Sequence, residues 1–377
     1  MKLSDVCEFI VDCPHSTAPD EGAGYPLIRT PNIGRGRLNL NGVHRVSEKI
    51  YLQRTQRGIP QKNDLILARE APAGNVAIIK NEGKVCLGQR TVLIRPLPDK
   101  ANPDYLTYYL LSPQQQYNLL GTANGATVAH VNLSTIRNLK IQLPPINIQC
   151  HIVDILSVYD DLIEVNQKQI RLLEEAARRL YREWFVDLRF PGHEDIPITD
   201  GIPAGWTKTI LNEIVQFRRG KTITQEQTIR GSIPVIAGGR EPAYFHNMSN
   251  TEAPVITVSA SGANAGFTQI HYQKIWASDC SFADDTSTSH LYFAYCFLKQ
   301  SHSLMSNLQK GSAQPHVYAK DINHLPLLLP PQTLIQEFEN AVIPFFHASK
   351  NCLAKIKLAT EARDRLLPKL MNGEIEV

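Results

Sequence analysis
The strongest constraint in this sequence is that it repeats itself. Residues 125–180 map without a gap onto residues 311–366: Gly125 falls on Gly311, His130-Val131 on His316-Val317, Ile136 on Ile322, and Pro144-Pro145 on Pro330-Pro331. The match continues through Ile170 with Ile356, Glu175-Ala176 with Glu361-Ala362, and Arg179-Leu180 with Arg365-Leu366. At a different offset the front of each half also matches, pairing Leu3 with Leu211, Phe9 with Phe217, Pro26 with Pro234 and Ile28 with Ile236. A period this long is not that of a solenoid, whose repeats run to roughly 20–50 residues. It is a duplicated globular unit, each copy followed by a helix. The expected segments are a globular unit over 1–144, a helix over 145–186, a linker over 187–205, a second globular unit over 206–329 and a second helix over 330–377.

The globular units read as α/β, of the α+β kind. Short apolar runs bounded by Gly or Pro, such as 64–67, 90–94, 255–258 and 327–329, are strand-like, whereas Tyr105–Leu111 and its match Tyr292–Leu298 open helices packed on a sheet. The long helices follow from periodicity. Ile152, Leu156, Tyr159, Ile163, Asn166, Ile170, Leu173, Ala177, Leu180 and Trp184 alternate steps of four and three, a sustained seam for a partner helix. The second copy places Phe338, Val342, Phe345, Ser349, Cys352, Ile356, Ala359, Arg363, Leu366 and Leu370 on the same seam. Its Pro344 and Pro368 predict a kink or late start and an early end. Asn147 is the expected N-cap of the first helix, and Thr333 with Gln336 has capping-box spacing for the second. Asn166, the seam's polar position, is either a tolerated polar residue or, the favoured reading, one that fixes register. Two amphipathic helices of one pseudo-symmetric chain most simply pack on each other, giving an antiparallel coiled coil.

At 377 residues, 43% apolar and 20% charged, the chain has the composition of an ordinary globular protein with enough core to need no staples. Seven scattered cysteines without a CxxC pair argue against a zinc site or disulfide framework, and the absence of any long apolar stretch argues against a membrane span. A cytoplasmic protein with reduced thiols is the expectation. Net charge is only +3, but residues 1–144 carry 17 Lys and Arg against 11 Asp and Glu, whereas residues 145–205 carry 6 against 11. Positive charge on a globular unit fits either a nucleic-acid partner, the favoured reading, or a generic solvated surface.

Catalytic motifs are scarce. Asn102-Pro103-Asp104-Tyr105 resembles the Asn/Asp-Pro-Pro-Tyr tetrad of adenine methyltransferases but lacks its second proline, and reads as a turn into the Tyr105 helix. No Gly-rich cofactor loop, no phosphate-binding Gly-x-x-x-x-Gly-Lys-Ser/Thr and no His-x-x-x-His pair is present, so neither a catalytic residue nor a metal site is expected. His130 and His316 follow Gly-rich turns and are expected to orient a loop; Asp284-Asp285 is expected to be a solvated turn. Gly34-Arg35-Gly36-Arg37 and Arg218-Arg219-Gly220-Lys221 are short basic loops placed early in each unit, and are candidates for phosphate or base contact.

In this order the motifs resemble those of the specificity (S) subunit of type I restriction–modification enzymes. The likeness is carried by Leu143-Pro144-Pro145 through Gln149 and Ile152 into Leu173-Glu174-Glu175 and Trp184-Phe185-Val186, then by Phe190-Pro191-Gly192-His193-Glu194 and Ile202-Pro203-Ala204-Gly205-Trp206. It extends through Gly311-Ser312-Ala313-Gln314-Pro315-His316 and Leu329-Pro330-Pro331 to Leu366-Leu367-Pro368-Lys369-Leu370. The resemblance implies two target recognition domains, each binding one half of a bipartite, asymmetric double-stranded DNA site, with the helices setting an unread spacer. It also implies two modification (methyltransferase) subunits and two ATP-dependent restriction subunits docked on the chain. S-adenosylmethionine, ATP and Mg²⁺ would then belong to those partners, with no cofactor on this chain and no enzyme activity of its own. Composition and loop position nominate the DNA-contacting side chains: Arg29, Arg35, Arg37, Arg54, Arg57, Arg69, Gln89 and Arg90 in the first unit, and Arg218, Arg219, Lys221, Arg240, Lys274 and Gln314 in the second. Two alternatives remain open at this point. One is the specificity subunit of a related two-subunit restriction–methylation system; the other, opposed by the missing cofactor loop, is a self-sufficient adenine methyltransferase or nuclease.

Overall fold
The computed structural model describes residues 1–80, 83–121, 130–309 and 315–377. It divides into two units, Met1–Val165 together with Lys355–Val377, and Asn166–Ala354. Each unit therefore takes its helical base from both long helices.

The first unit contains β1 (Cys7–Asp12), β2 (Tyr25–Ile28), β3 (Gly36–Arg37), β4 (His44–Val46), α1 (Glu48–Arg54), β5 (Leu65–Ala68), β6 (Val76–Ile78), β7 (Cys86–Leu87) and β8 (Thr91–Pro96). They form one sheet in the order β1-β8-β5-β6-β3 and a smaller one in the order β4-β2-β7. All four residues of β5 are buried because the strand is covered on both faces. Leu65 and Leu67 join an apolar cluster with Tyr105 and Leu106, whereas Ile66 and Ala68 join Ile28, Ile33 and Leu87. Tyr105 and Leu106 lie on α2 (Pro103–Leu111), which leads into α3 (Pro113–Leu120) and later α4 (Leu133–Arg137). The Asn-Pro-Asp-Tyr segment is a helix start: the Asn102 side chain accepts the Asp104 and Tyr105 N–H groups at 3.0 and 3.1 Å, and Pro103 supplies a first helical residue without a donor to satisfy.

The long helix α5 spans Ile146–Phe185, and the second unit then runs through a hairpin of β9 (Ile198–Thr199) and β10 (Ile202–Pro203) into β11 (Thr207–Ile210). The stretch expected to be a linker is thus ordered, with Phe190 buried 5.3 Å from the Trp206 ring. Next come β12 (Arg218–Arg219), β13 (Ile233–Ile236), β14 (Tyr244–His246), β15 (Val255–Ser259), β16 (Thr268–His271), β17 (Trp276–Ala277) and β18 (Cys280–Asp284). The helices α6 (Leu291–Gln300), α7 (His302–Asn307) and α8 (Ala319–Asn323) lead to β19 (Pro326–Leu329) and the long α9 (Gln332–Met371). The sheet order β12-β18-β15-β16 repeats β1-β8-β5-β6, and β14-β13-β17 repeats β4-β2-β7. Even the parallel pairs correspond, β13 with β17 and β2 with β7. The internal repeat is a repeat of fold.

Two sequence expectations about the long helices are corrected. Each helix begins directly after its Pro-Pro, so Asn147 and Thr333 fall inside the first turn rather than at a cap. A proline there has its φ already set and no N–H to leave unpaired. Pro331 carbonyl oxygen accepts the Leu334 and Ile335 N–H groups. Nor do Pro344 and Pro368 delay or truncate α9, which is continuous for 40 residues. The missing hydrogen bonds are outweighed by burial of neighbouring side chains, Val342 and Phe346 around the first proline and Leu367 and Leu370 around the second.

Packing explains the division into units. In the first, Ile152 and Leu156 from the start of α5 share a cluster with Leu367 and Leu370 from the end of α9. In the second, Tyr181 and Phe185 from the end of α5 lie 5.8 and 5.1 Å from Phe338 at the start of α9, with Phe293 of α6 5.1 Å from Phe185. Burying one such phenylalanine contributes about 1.5–3 kcal/mol, before edge-to-face terms of about 0.5–1.5 kcal/mol per pair. Each long helix also caps a shorter one. Gln149 Oε1 accepts the Asn102 N–H at 2.9 Å, and buried Glu339 accepts the Phe293 N–H in the first turn of α6 at 2.7 Å.

Burial pushes the Glu339 carboxyl up from its ordinary 4.5 to about 7, although backbone N–H groups of Phe293 and Tyr292 favour its charged form. Between those values the folded protein holds a proton that the unfolded chain has lost, so the second unit should lose stability as pH rises from about 4.5 to 7. The whole effect is at most roughly 3 kcal/mol. Glu339→Gln keeps the acceptor oxygen and should flatten this dependence, seen as a smaller fall in melting temperature across that pH range.

Candidate nucleic-acid interface
Three sequence candidates in the first unit converge on one segment. Buried Arg54, at the end of α1, donates to the Leu87 carbonyl at 3.1 Å and to the Ser16 carbonyl and hydroxyl. Arg57 pairs with Asp12 and reaches the Cys13 carbonyl at 3.4 Å, and the Gln89 amide donates to the His15 carbonyl at 2.6 Å. Together they brace residues 12–16, where the chain leaves β1.

A second group lies at the ends of β5 and β8. Arg69 donates to the Val131 carbonyl and to His130 Nε2, both at 2.8 Å. Because a guanidinium only donates, Nε2 must accept, which leaves Nδ1–H to donate to Glu70 at 2.6 Å. Arg90, held at a φ of +64°, pairs through Nε with the other Glu70 oxygen at 2.8 Å. His130 is thereby fixed where the chain leaves residues 122–129. The loops of Gly125, Gly311 and Gln314 lie outside the described residues.

The remaining first-unit candidates differ. Arg35 is exposed and donates to the Leu111 carbonyl at 3.1 Å. Arg29 is half-buried, with Nε lacking a hydrogen-bond partner among the described residues. Arg37 lies among Asp104, Asp160 and Asp161 at 3.7–3.9 Å. The chemistry of the partner matters for the field each side chain projects. Carbonyl oxygens hold Arg35, Arg54 and Arg69 without cancelling their charge, whereas carboxylates largely cancel Arg37, Arg57 and Arg90.

In the second unit Arg218 and Arg219 form β12. Arg218 stacks 5.0 Å over Phe282 and bonds Asp284 at 3.1 Å. Asp284, expected in a solvated turn, is instead buried: it accepts from Arg218, from the Thr286 hydroxyl and from the Glu252 N–H, and only Asp285 is exposed. Arg219 and Lys221 are exposed, with no side-chain partner among the described residues. Lys274 is paired with Glu252 at 2.6 Å. Arg240 lies 5.0 Å over Phe267 at a pocket of about 370 Å³, also lined by Lys299, Asn264 and Gln309.

Of the seam residues, Ile152, Leu156, Asn166, Phe338 and Val342 are buried, while Tyr159, Ile163, Ile170, Leu173, Leu180, Phe345, Ile356 and Leu366 are half-buried. Asp160, Tyr181, Phe185 and Phe346, each one residue along from a seam position, take deep sites that the seam pattern missed. A helix of 3.6 residues per turn drifts against a 3.5-residue seam, and the same face must also receive a globular unit.

The model of the type I restriction modification DNA specificity domain matches this sequence twice, over residues 1–175 and 203–338. The chain belongs to that family. The MjaIX specificity subunit of Methanocaldococcus jannaschii is 28% identical over 391 aligned residues, covering 97% of this chain and 87% of the relative. The HindI specificity subunit of Haemophilus influenzae is 19% identical, covering 84% and 87%. The crystal structure of a type I restriction–modification S subunit from M. genitalium shares the fold, with a TM-score of 0.52 at 18% identity over 98% of this chain and 95% of the other. The chain is therefore of the type I specificity-subunit class, its two repeated units being the target recognition domains. No helix among the described residues is long and apolar enough to cross a membrane.

Braced and projecting cations should behave differently. Arg54→Ala should lower stability by about 2–4 kcal/mol, because it strips three oxygens of a buried donor. Arg219→Ala should change stability by no more than about 0.5 kcal/mol. It should instead weaken duplex DNA binding and reduce the slope of log affinity against log salt by about one. Thermal melts and binding titrations at several salt concentrations check both.

Proposed function
We propose that each recognition domain binds one half of a split, asymmetric duplex sequence and that the chain carries out no chemistry itself. Two modification subunits would dock on it to methylate adenine with S-adenosylmethionine, and two ATP-dependent restriction subunits would complete the nuclease. The observation that carries this reading is the repetition of one α/β fold, strand order included, in two units that each rest on segments of both long helices. A duplicated reader is suited to a two-part site, and paired helices between the readers would set an unread spacer. Exposed Arg219, Lys221 and Arg35 are assigned to the DNA face. There, phosphate contacts give salt-dependent affinity, while base-edge contacts from Arg, Asn and Gln give the sequence.

Docking of partners has a surface to use. Val158, Val165 and Leu172 lie seven residues apart on α5, each about 60% exposed, so the helix carries an apolar stripe outside its buried face. A partner helix is the natural cover for such a stripe.

The test is domain exchange. Residues 206–329 are replaced by the equivalent domain of another family member, and methylated adenines are mapped after incubation with the modification subunit and S-adenosylmethionine. One half of the methylated sequence should change and the other should stay, with no methylation when the chain is incubated without its partner. Change in both halves, or methylation by the chain alone, overturns the reading.

A further inference from the structure
We propose that a buried charged lock between Asp160 and Arg363 makes α5 pair with an α9 and reject a second α5. In the first unit Arg363 Nη1 lies 2.6 Å from Asp160 Oδ1, and the Tyr108 hydroxyl donates to Asp160 Oδ2 at 2.5 Å. The Asp160 side chain is 2% exposed and that of Arg363 13%. Arg37, from the recognition domain, lies 3.9 Å from the same carboxylate. A carboxylate this deep has two strong donors and a nearby second cation.

The internal repeat shows what the other unit does at the same positions. Asp160 corresponds to Phe346, Arg363 to Ala177 and Tyr108 to Tyr295. Phe346 and Ala177 are buried in one apolar cluster, and the Tyr295 ring packs edge-on to Phe346 at 5.7 Å. The same joint is thus ionic in one unit and apolar in the other. In an antiparallel pair of two α5 helices from separate copies, Asp160 would face Ala177 of the other copy and lose its direct ion pair, keeping only Arg37 at 3.9 Å. In a pair of two α9 helices, Arg363 would face Phe346 and lose its buried carboxylate, keeping only the exposed Asp364 beside it on the same helix. Removing the direct partner of a buried charge disfavours an association by on the order of a hundredfold; Arg37 and Asp364 soften this, and each mismatch would occur twice in its own symmetric pair. The lock gives a duplicated chain a charged, buried means of telling its two helices apart. It also accounts for an arginine on the apolar seam of α9.

Two differently tagged copies of the full chain, co-expressed and captured through one tag, report like-with-like pairing as the fraction of mixed dimers. Asp160→Asn with Arg363→Gln keeps an acceptor for Tyr108 while removing both charges. Asp160→Phe with Arg363→Ala copies the chemistry of the second unit. The mixed fraction should rise at least tenfold over wild type in either variant, with dimers visible by light scattering. A folded variant that mixes no more than wild type overturns the proposal. So does loss of folding in both variants, which would make the pair a stability element and not a selector of partners.

Discussion
At both ends of the long helices the chain must bury side chains from distant parts of its sequence, Ile152 and Leu156 with Leu367 and Leu370 in one unit, Tyr181 and Phe185 with Phe338 in the other. A helix of 40 residues is about 60 Å long, and an isolated helix in water is stabilised only weakly by its own backbone. Each helix gains its stability from the faces it shares. The sheets depend on the same burial, since α2 and α6 are capped by Gln149 of α5 and Glu339 of α9. A recognition domain is therefore fixed to its helical base by hydrogen bonds to backbone as well as by apolar packing, and such bonds fix orientation more sharply than packing does.

The basic side chains divide by what holds them. Those bonded to carbonyl oxygens shape loops and still contribute positive potential, and those bonded to carboxylates contribute little beyond their own neighbourhood. Arg219 and Lys221 are exposed beside Gly220, where an added Cβ would lie 2.3 Å from the Ser278 carbonyl oxygen. That close approach explains glycine between two projecting cations: the backbone packs tightly while the side chains point outward.

Much of this architecture was legible in the sequence, because repetition, apolar periodicity and Pro-Pro helix starts are local signals. The duplicated fold, α2 and α6, the strand at 65–68 and the two long helices all follow from them. Polar residues at buried positions did not follow. Asp160, Asp284 and Glu339 look like solvated surface in a linear pattern, and it is donors distant in sequence, among them Arg363 and Tyr108, Arg218, and the first turn of α6, that make them interior residues. The prolines of α9 misled for the same reason, since propensity describes the helix alone and tertiary burial decides. Candidate DNA contacts were legible as a set, by charge, but whether an arginine braces a loop or projects from it depends on which carbonyls the fold brings near it.

The central claim, that paired helices set the distance between two independent readers, is tested most directly by lengthening both helices together. Seven residues of helix-forming sequence inserted after Lys168 in α5 and after Ala354 in α9 preserve the seam and add about 10.5 Å to each. Methylated adenines mapped with the modification subunit should then show both half-sites unchanged and the spacer between them longer by roughly three base pairs, at about 3.4 Å per pair. An active complex with an unchanged spacer, or with altered half-sites, would contradict the account.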